Sequence, residues 1–467
     1  MADPVILWFR QDLRLHDQPA LLAAVREGAV IPVYVLDDVG PGKWRIGAAQ
    51  RWWLHHSLAA LDAALRARGS RLILRRGAAA DVLRALLAET GAARIHAIRH
   101  YEPWWRRAET ALGDSLTLHD GNHLYPIERL TTGAGGRFRI FSAFYRALCD
   151  VMPPEPPRAP PPQIPPPARW PDSAALADWR LLPTDPDWAG GFAVWTPGED
   201  AARAVSAGFV DRVGGYERDR NLPSIEGTSR LSPHLHFGEV SVRHVWHETS
   251  LAAPGAGAGS GEGAGAGASA GVQCFHRELA WRDFTRGVTL ALPYYALRNG
   301  RAAFDDLPWR DAPSDLAAWR RGRTGYPIVD AGMRELWATG WVHNRVRMIV
   351  ASFLTKHLLI DWRAGERWFH DCLVDADYGN NAVNWQWVAG TGVDSNMFAR
   401  IMAPLGQSEK FDAAGYIRRW VPELRDVPDG AIHDPEEAGC RPPRYPPKII
   451  GHREARARAL AALAMLR

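Results

Sequence analysis

The sequence predicts two parts, an α/β N-terminal domain with a Rossmann-like parallel sheet and a large all-α C-terminal domain. Three observations predict it. Residues 4–125 alternate short apolar runs with helical stretches, and Met152 to Arg169 is dense in proline. Beyond about residue 195, apolar residues recur at helical spacing with no strand-like runs between them. The expected division is 1–130 for the α/β domain, 131–195 for an interdomain linker and 196–467 for the helical domain.

Five runs read as short buried strands: VILWF, AVIPVYVLD, RLILRR, RIHAIRH and SLTLHD. Between the second and third, Gln50 to Arg68 places Leu54, Leu58, Leu61 and Leu65 on one helical stripe. That rhythm implies parallel strands covered on both faces. No GxGxxG follows the first strand, so a dinucleotide fingerprint is missing. RQDLRLHD follows instead, at the strand end where α/β sheets usually bind ligands. The proline-dense PPEPPRAPPPQIPPP suits an extended, semi-rigid, wrapping connector.

Helices are expected at 197–218, 238–250, 273–292, 330–338, 341–358, 364–374 and 451–466. Within this region GAGAGSGEGAGAGASAG (Gly255 to Gly271) is low-complexity and reads as a mobile, dispensable surface loop.

With 56 Lys+Arg against 52 Asp+Glu, the net charge is +4, which allows a local basic face and excludes a wholesale polycation. The four cysteines are scattered with no CxxC, which suggests neither a zinc site nor a disulfide frame, and free cytosolic thiols are expected. An iron–sulfur cluster is not excluded by count, but nothing points to one. The N-terminus lacks a secretory pattern, and the apolar stretch Met348 to Ile360 is too short to span a bilayer. A soluble, cytoplasmic, monomeric protein is expected, without membrane association or a metal.

Chemistry concentrates in DADYGNNAVNWQWVAGTGVDSNMFAR (Asp375 to Arg400), where acids, amides and indoles alternate too closely for a plain amphipathic element. Two readings fit: an Asn/Gly-rich loop with Trp as core filler, or a pocket for a large aromatic cofactor. Thr228, Ser229, Arg230, Leu231 and Ser232 (TSRLS) read as a phosphate cradle or as an ordinary helix cap. Glu278, Trp281, Arg282 and Thr285 share one helix face, as do Asn344, Arg345 and Met348, with Arg347 available to pair Asp375.

These stretches resemble the DNA photolyase and cryptochrome family. The likeness runs from WFRQDLRLHDQPAL through EGTSRLSPHLHFGE, RELAWRDF and TGYPIVDAGMRELWATGWVHNRVRM to SEKFD and RRWVPELRDVP. The resemblance implies FAD, held by Tyr216, Thr228, Ser229, Arg230, Leu231, Ser232, Arg282, Arg347, Asp375, Ala376, Asp377 and Asn381. Asn381 would face the reactive N5 edge, where plant cryptochromes typically carry an acid. Trp281 and Trp387 would sandwich a flipped-out lesion in UV-damaged DNA, and Glu278 would bond its base edge. Arg220, Asn344, Arg345, Met348 and Gln407 would line the DNA-facing mouth. Trp385, Trp362 and Trp309 match the electron-relay triad.

The expected activity is light-driven repair of cyclobutane pyrimidine dimers, of the class I-like kind. The (6-4) variant is disfavoured because Asn344 and Met348 stand where those enzymes carry a His-containing pattern. Family members also carry optional antennae, methenyltetrahydrofolate or 8-hydroxy-deazaflavin. Trp104 and Trp105 stand where pterin binders carry Asn-Glu, so they read either as an antenna contact or as helix-start packing. Two rivals remain: a cryptochrome-like photoreceptor without repair activity, and a metal-dependent nucleotide-sugar transferase using Asp375 and Asp377 as a DxD motif.

Overall fold

The computed structural model describes residues 3–252, 264–395 and 397–466. They form two compact units: Met1–Asp187 with Trp195–Gly214 and Ser229–Pro293, and Trp188–Val194 with Gly215–Thr228 and Tyr294–Arg467.

The first unit is built on five parallel strands: β1 (Pro4–Phe9), β2 (Ala29–Leu36), β3 (Ile73–Arg76), β4 (Arg94–Ile98) and β5 (Leu116–His119). Their order is β3-β2-β1-β4-β5, with Trp8 beside Val33 and Ile6 beside Ile95. All five strands lie where the apolar runs predict them. Ile6, Trp8, Ile31, Val33, Ile73 and Ile95 pack with Leu83 and Leu86 in a buried cluster, and that double coverage explains why these strands read as continuous apolar runs.

RQDLRLHD does follow β1, yet its charges are spent inside the unit. The Asp12 carboxylate accepts from the Arg10 amide (2.6 Å) and from Gln18 Nε2 (2.8 Å). Arg14 donates to Gly121 O (2.8 Å), Asn122 Oδ1 (2.9 Å) and Gly238 O (2.9 Å). Asp17 pairs with Arg243 at 2.6 Å, and Glu199 accepts from the amides of Leu15 and His16. This ladder clasps the sheet to the helices Glu199–Val210 and Val242–Ser250. Gly238 sits in it at φ +66, where a Cβ would strike the backbone of Gln11 and Asp12. The residual cavity lined by Gln11, His100, Tyr101 and Asn122 is about 10 Å³, room for one water. These charged residues thus form a structural clasp within the unit.

The proline-dense stretch forms no regular element and is docked along the unit: Pro165 O accepts from the Val30 amide at 2.8 Å and Arg158 O from Asp17 N at 2.7 Å. The Gly/Ala stretch needs a correction. Residues 255–263 lie outside the described residues, but helix Ala264–Ala291 begins within the stretch. A Cβ on Gly271 would run into the carbonyl oxygens of Val213 and Gly214, so this end is a helical docking contact. Alanine's helix propensity and that close approach outweigh the composition.

The second unit is helical. The helix expected at 197–218 is interrupted, leaving Glu199–Val210 in the first unit and a short Tyr216–Asp219 helix in the second. The one expected at 341–358 divides into Asn344–Ser352 and a π-helical turn, Phe353–His357. Five helices among the described residues of this unit escape the sequence pattern: Pro313–Arg320, Tyr378–Ala389, Pro404–Lys410, Ala414–Trp420 and Asp429–Ile432. The core is rich in rings, with Trp319, Tyr326, Phe353, Trp362, Phe369 and Trp385 all buried. Lys356, on the π turn, is also buried and donates to Phe398 O (3.0 Å) and Arg400 O (3.2 Å).

Candidate functional site

Spacing alone leaves a loop open for the Asp375 stretch, but the chain there enters a helix, Tyr378–Ala389. Asp377 is its cap, with Oδ1 accepting from the Asn380 amide at 2.7 Å. The helix places Asn381 and Trp385 four residues apart on one buried face, while Asn384 is exposed and Trp387 half-buried. Asp375 lies just before the cap, and Arg347 grips it with both terminal nitrogens, at 3.0 and 2.8 Å. Ala376 is buried between the two acids. With both Asp375 oxygens on Arg347 and Asp377 capping a helix, a DxD metal clamp is not what these acids build.

Asn381 Nδ2 donates to Glu366 O (3.0 Å) and Glu366 Oε1 (2.9 Å). Two acceptors on one end fix the amide's orientation, so the NH₂ end faces Glu366. Asn381 Oδ1 is then left as an acceptor without a partner among the described residues. That donor set fits a flavin ring: the acceptor oxygen matches an N–H donor, such as reduced flavin carries at N5, and Arg347 neutralises Asp375.

Of the DNA-facing candidates of this unit, Asn344 and Arg345 open a helix, whereas Arg220 follows the end of Tyr216–Asp219. His343 Nδ1 accepts from the Arg345 amide at 3.2 Å and starts the helix that exposes Asn344 and half-buries Met348. Arg345 reaches Asn221 Oδ1 (2.5 Å) and Met348 Sδ (3.7 Å), with its guanidinium 4.5 Å from the Phe411 ring centre. Arg220 lies 5.4 Å from the ring of buried Tyr216, and Gln407 is half-buried on Pro404–Lys410. Among the relay candidates, Trp385 meets Phe369 edge-on at 5.0 Å. Trp362 is fully buried, its Nε1 donating to Asn299 Oδ1 at 2.9 Å, and Trp309 is half-buried on the core.

Thr228 closes a segment of the second unit, whereas Ser229, Arg230, Leu231 and Ser232 belong to the first. Arg230 adopts φ +53 and lies 5.5 Å over Trp195, while Ser229 Oγ accepts from Leu231 N at 3.3 Å. Ser232 is the exposed first residue of helix Ser232–Phe237, which has no side-chain cap. On Ala264–Ala291, Arg282 donates to Asn122 O at 2.6 Å and pairs with buried Asp283 at 3.3 Å. Burial raises the Asp283 carboxyl to about 6, against the pull of Arg282. Glu278 and Trp281 are half-buried on the same helix.

For the aromatic pair near β4, packing is what the structure shows: Trp105 lies 4.7 Å from His100 and 5.7 Å from Trp104, on the sheet's apolar cluster. The cysteines are free, and no described helix is long and apolar enough to cross a membrane. Sequence reasoning missed Glu366 and Asn299, whose roles depend on partners that no local pattern marks.

A parallel-sheet unit and a helical unit carrying acid, amide and indole on one short stretch match a family of flavoproteins. Residues 5–165 match the model for DNA photolyase, and residues 275–465 match that for the FAD binding domain of DNA photolyase. The chain is 47% identical to deoxyribodipyrimidine photo-lyase of Agrobacterium fabrum, over 99% of this chain and 98% of that one. It is 38% identical to cryptochrome-1 of Arabidopsis thaliana, over 99% of this chain and 70% of the relative. A crystal structure of a bacterial class III photolyase from Agrobacterium tumefaciens superposes with a TM-score of 0.92 at 45% identity, covering 100% of this chain and 98% of that one. The chain belongs to the DNA photolyase family, and its cofactor is FAD. The class I-like subtype expected from the resemblance is not confirmed, because that similarity points to class III.

Proposed function

We propose that this protein is a deoxyribodipyrimidine photo-lyase of the class III kind, repairing cyclobutane pyrimidine dimers in UV-damaged DNA. The carrying observation is the Asn381 amide, turned by Glu366 so that its oxygen is left as an acceptor. An amide cannot hand over a proton as a protonated carboxyl can, which favours repair over signalling. Reduced FAD, when bound and lit, supplies the electron that opens the dimer and takes it back.

The chain's own residues select and hold the lesion. A dimer stacks and pairs poorly, so extruding it costs less than extruding intact bases. Trp281 and Trp387 offer indole faces worth roughly 1–3 kcal/mol per stacked base. Glu278 takes the base edge; Arg220, Asn344, Arg345, Met348 and Gln407 line the mouth, where guanidinium–phosphate contacts make binding salt-dependent. Tyr216, Thr228, Ser229, Arg230, Leu231, Ser232 and Arg282 are assigned to the cofactor with Asp375, Ala376, Asp377 and Arg347. Trp385, Trp362 and Trp309 are assigned to its reduction.

The functional division at 1–130, 131–195 and 196–467 is part of this reading; the two family matches, over 5–165 and 275–465, support an N-terminal and a C-terminal part. An antenna of the folate or deazaflavin class, action as a monomer and cytoplasmic residence complete the reading. The test is a dimer-containing oligonucleotide incubated with chemically reduced protein in blue light and in darkness. Loss of dimers only in light is expected; intact dimers in both would leave the photoreceptor reading.

A further inference from the structure

Trp281 is held from behind. Its indole lies face to face with Phe141, ring centres 3.7 Å apart and planes within 6°. Phe284 meets the pair edge-on, 5.4 Å from Trp281 and 5.6 Å from Phe141. On the Phe141–Cys149 helix, Tyr145 continues the column at 5.7 Å and 19°. Arg277, one helical turn before Trp281, sets its guanidinium 5.3 Å from both the Phe141 and Tyr145 rings.

Face-to-face stacking is not the arrangement two rings choose unaided, because their electron-rich faces repel and offset or edge-on pairs are preferred. A cation near the Phe141 ring draws on that electron density and offsets the repulsion. Phe141 is 2% exposed, so its own plane is fixed by packing, whereas Trp281 is half-buried. Trp281 has no further ring partner besides Phe141 and Phe284 among the described residues. One indole face is thus covered, and the plane of the opposite face is set before any base arrives.

We propose that Phe141 is a positioning residue for lesion recognition: it fixes the plane of Trp281 so that an extruded base meets a preset platform. This rests on the assignment of Trp281 to the lesion. Fixing both χ angles of the indole in advance removes an ordering cost otherwise met on binding, worth about three- to tenfold in affinity.

The test compares Phe141→Leu, Phe141→Tyr and Trp281→Ala, measuring affinity for dimer-containing and undamaged duplexes at matched salt, with flavin content and melting temperature. Phe141→Leu should lose about three- to tenfold on the dimer duplex alone, and Phe141→Tyr, which keeps the flat face, should recover wild-type affinity. If Trp281→Ala binds the dimer like wild type, the platform assignment itself fails. If Trp281→Ala weakens binding but Phe141→Leu does not, or if Phe141→Leu weakens both duplexes equally, the positioning role is overturned. Should Phe141→Leu melt early, Phe141→Met, which retains bulk without a flat face, is read by the same two criteria.

Discussion

Arg347 holds Asp375 by both carboxylate oxygens while its Nε donates to Val342 O at 2.7 Å, so one guanidinium ties a buried acid to the turn before its own helix. Removing it leaves a buried carboxylate without its partner, at a cost of about 3–5 kcal/mol. Arg347→Ala should therefore lower the melting temperature and reduce flavin retention. Arg347→Lys should recover only part of either, because an ammonium cannot form the fork. Wild-type flavin occupancy in Arg347→Ala would count against the pair as a cofactor-site element.

Trp385→Phe separates relay from packing. Phenylalanine fills much of the indole's place beside Phe369 and Trp319 but is a far poorer hopping station. Flavin content should stay normal and photoreduction with an external donor should slow strongly. Repair should survive once the flavin is reduced chemically. Photoreduction at the wild-type rate would remove Trp385 from the main route.

Gly365 lies under the same indole. A Cβ there would land on the Trp385 ring and on the Leu354 side chain. Gly365→Ala should cost about 1–3 kcal/mol by overpacking, despite alanine's better helix propensity. Urea denaturation measures this directly; a stabilised variant would show that the Trp385 side chain yields readily.

Burial, helped by nearby Arg400, brings the Lys356 ammonium down to about 7 from the ordinary 10.5. Between those values the unfolded chain holds a proton that the folded chain has released. Stability should therefore rise with pH across that window. In Lys356→Met that rise should flatten, whatever the substitution does to absolute stability through the carbonyls of Phe398 and Arg400. An unchanged slope in denaturant titrations at several pH values would mean the amine stays charged when folded.

The strands were readable because each is buried on both faces and therefore apolar along its length. The Arg347–Asp375 pair could be anticipated as opposite charges in neighbouring motifs. The Tyr378–Ala389 helix was hidden because its buried face carries Asn381 and Trp385, which breaks the apolar period. The hold of Glu366 on Asn381 and of Phe141 on Trp281 joins different helices, and no local pattern reports such partners. The Gly/Ala stretch misled in the opposite way: its composition argued against order, whereas Gly271 needs its missing side chain for close approach.

The wide turn at Phe353–His357 makes chain length adjustable there. A π turn holds one residue more than an α turn, so excising a single residue between Ser352 and Leu358 would restore regular pitch and keep the register of the helix before it. Arg347 and Met348 would stay in place, while Lys356 would leave its two carbonyls. Single-residue deletions should thus be accepted more readily across this turn than within Asn344–Ser352, a bias that a deletion library scored for flavin colour would display.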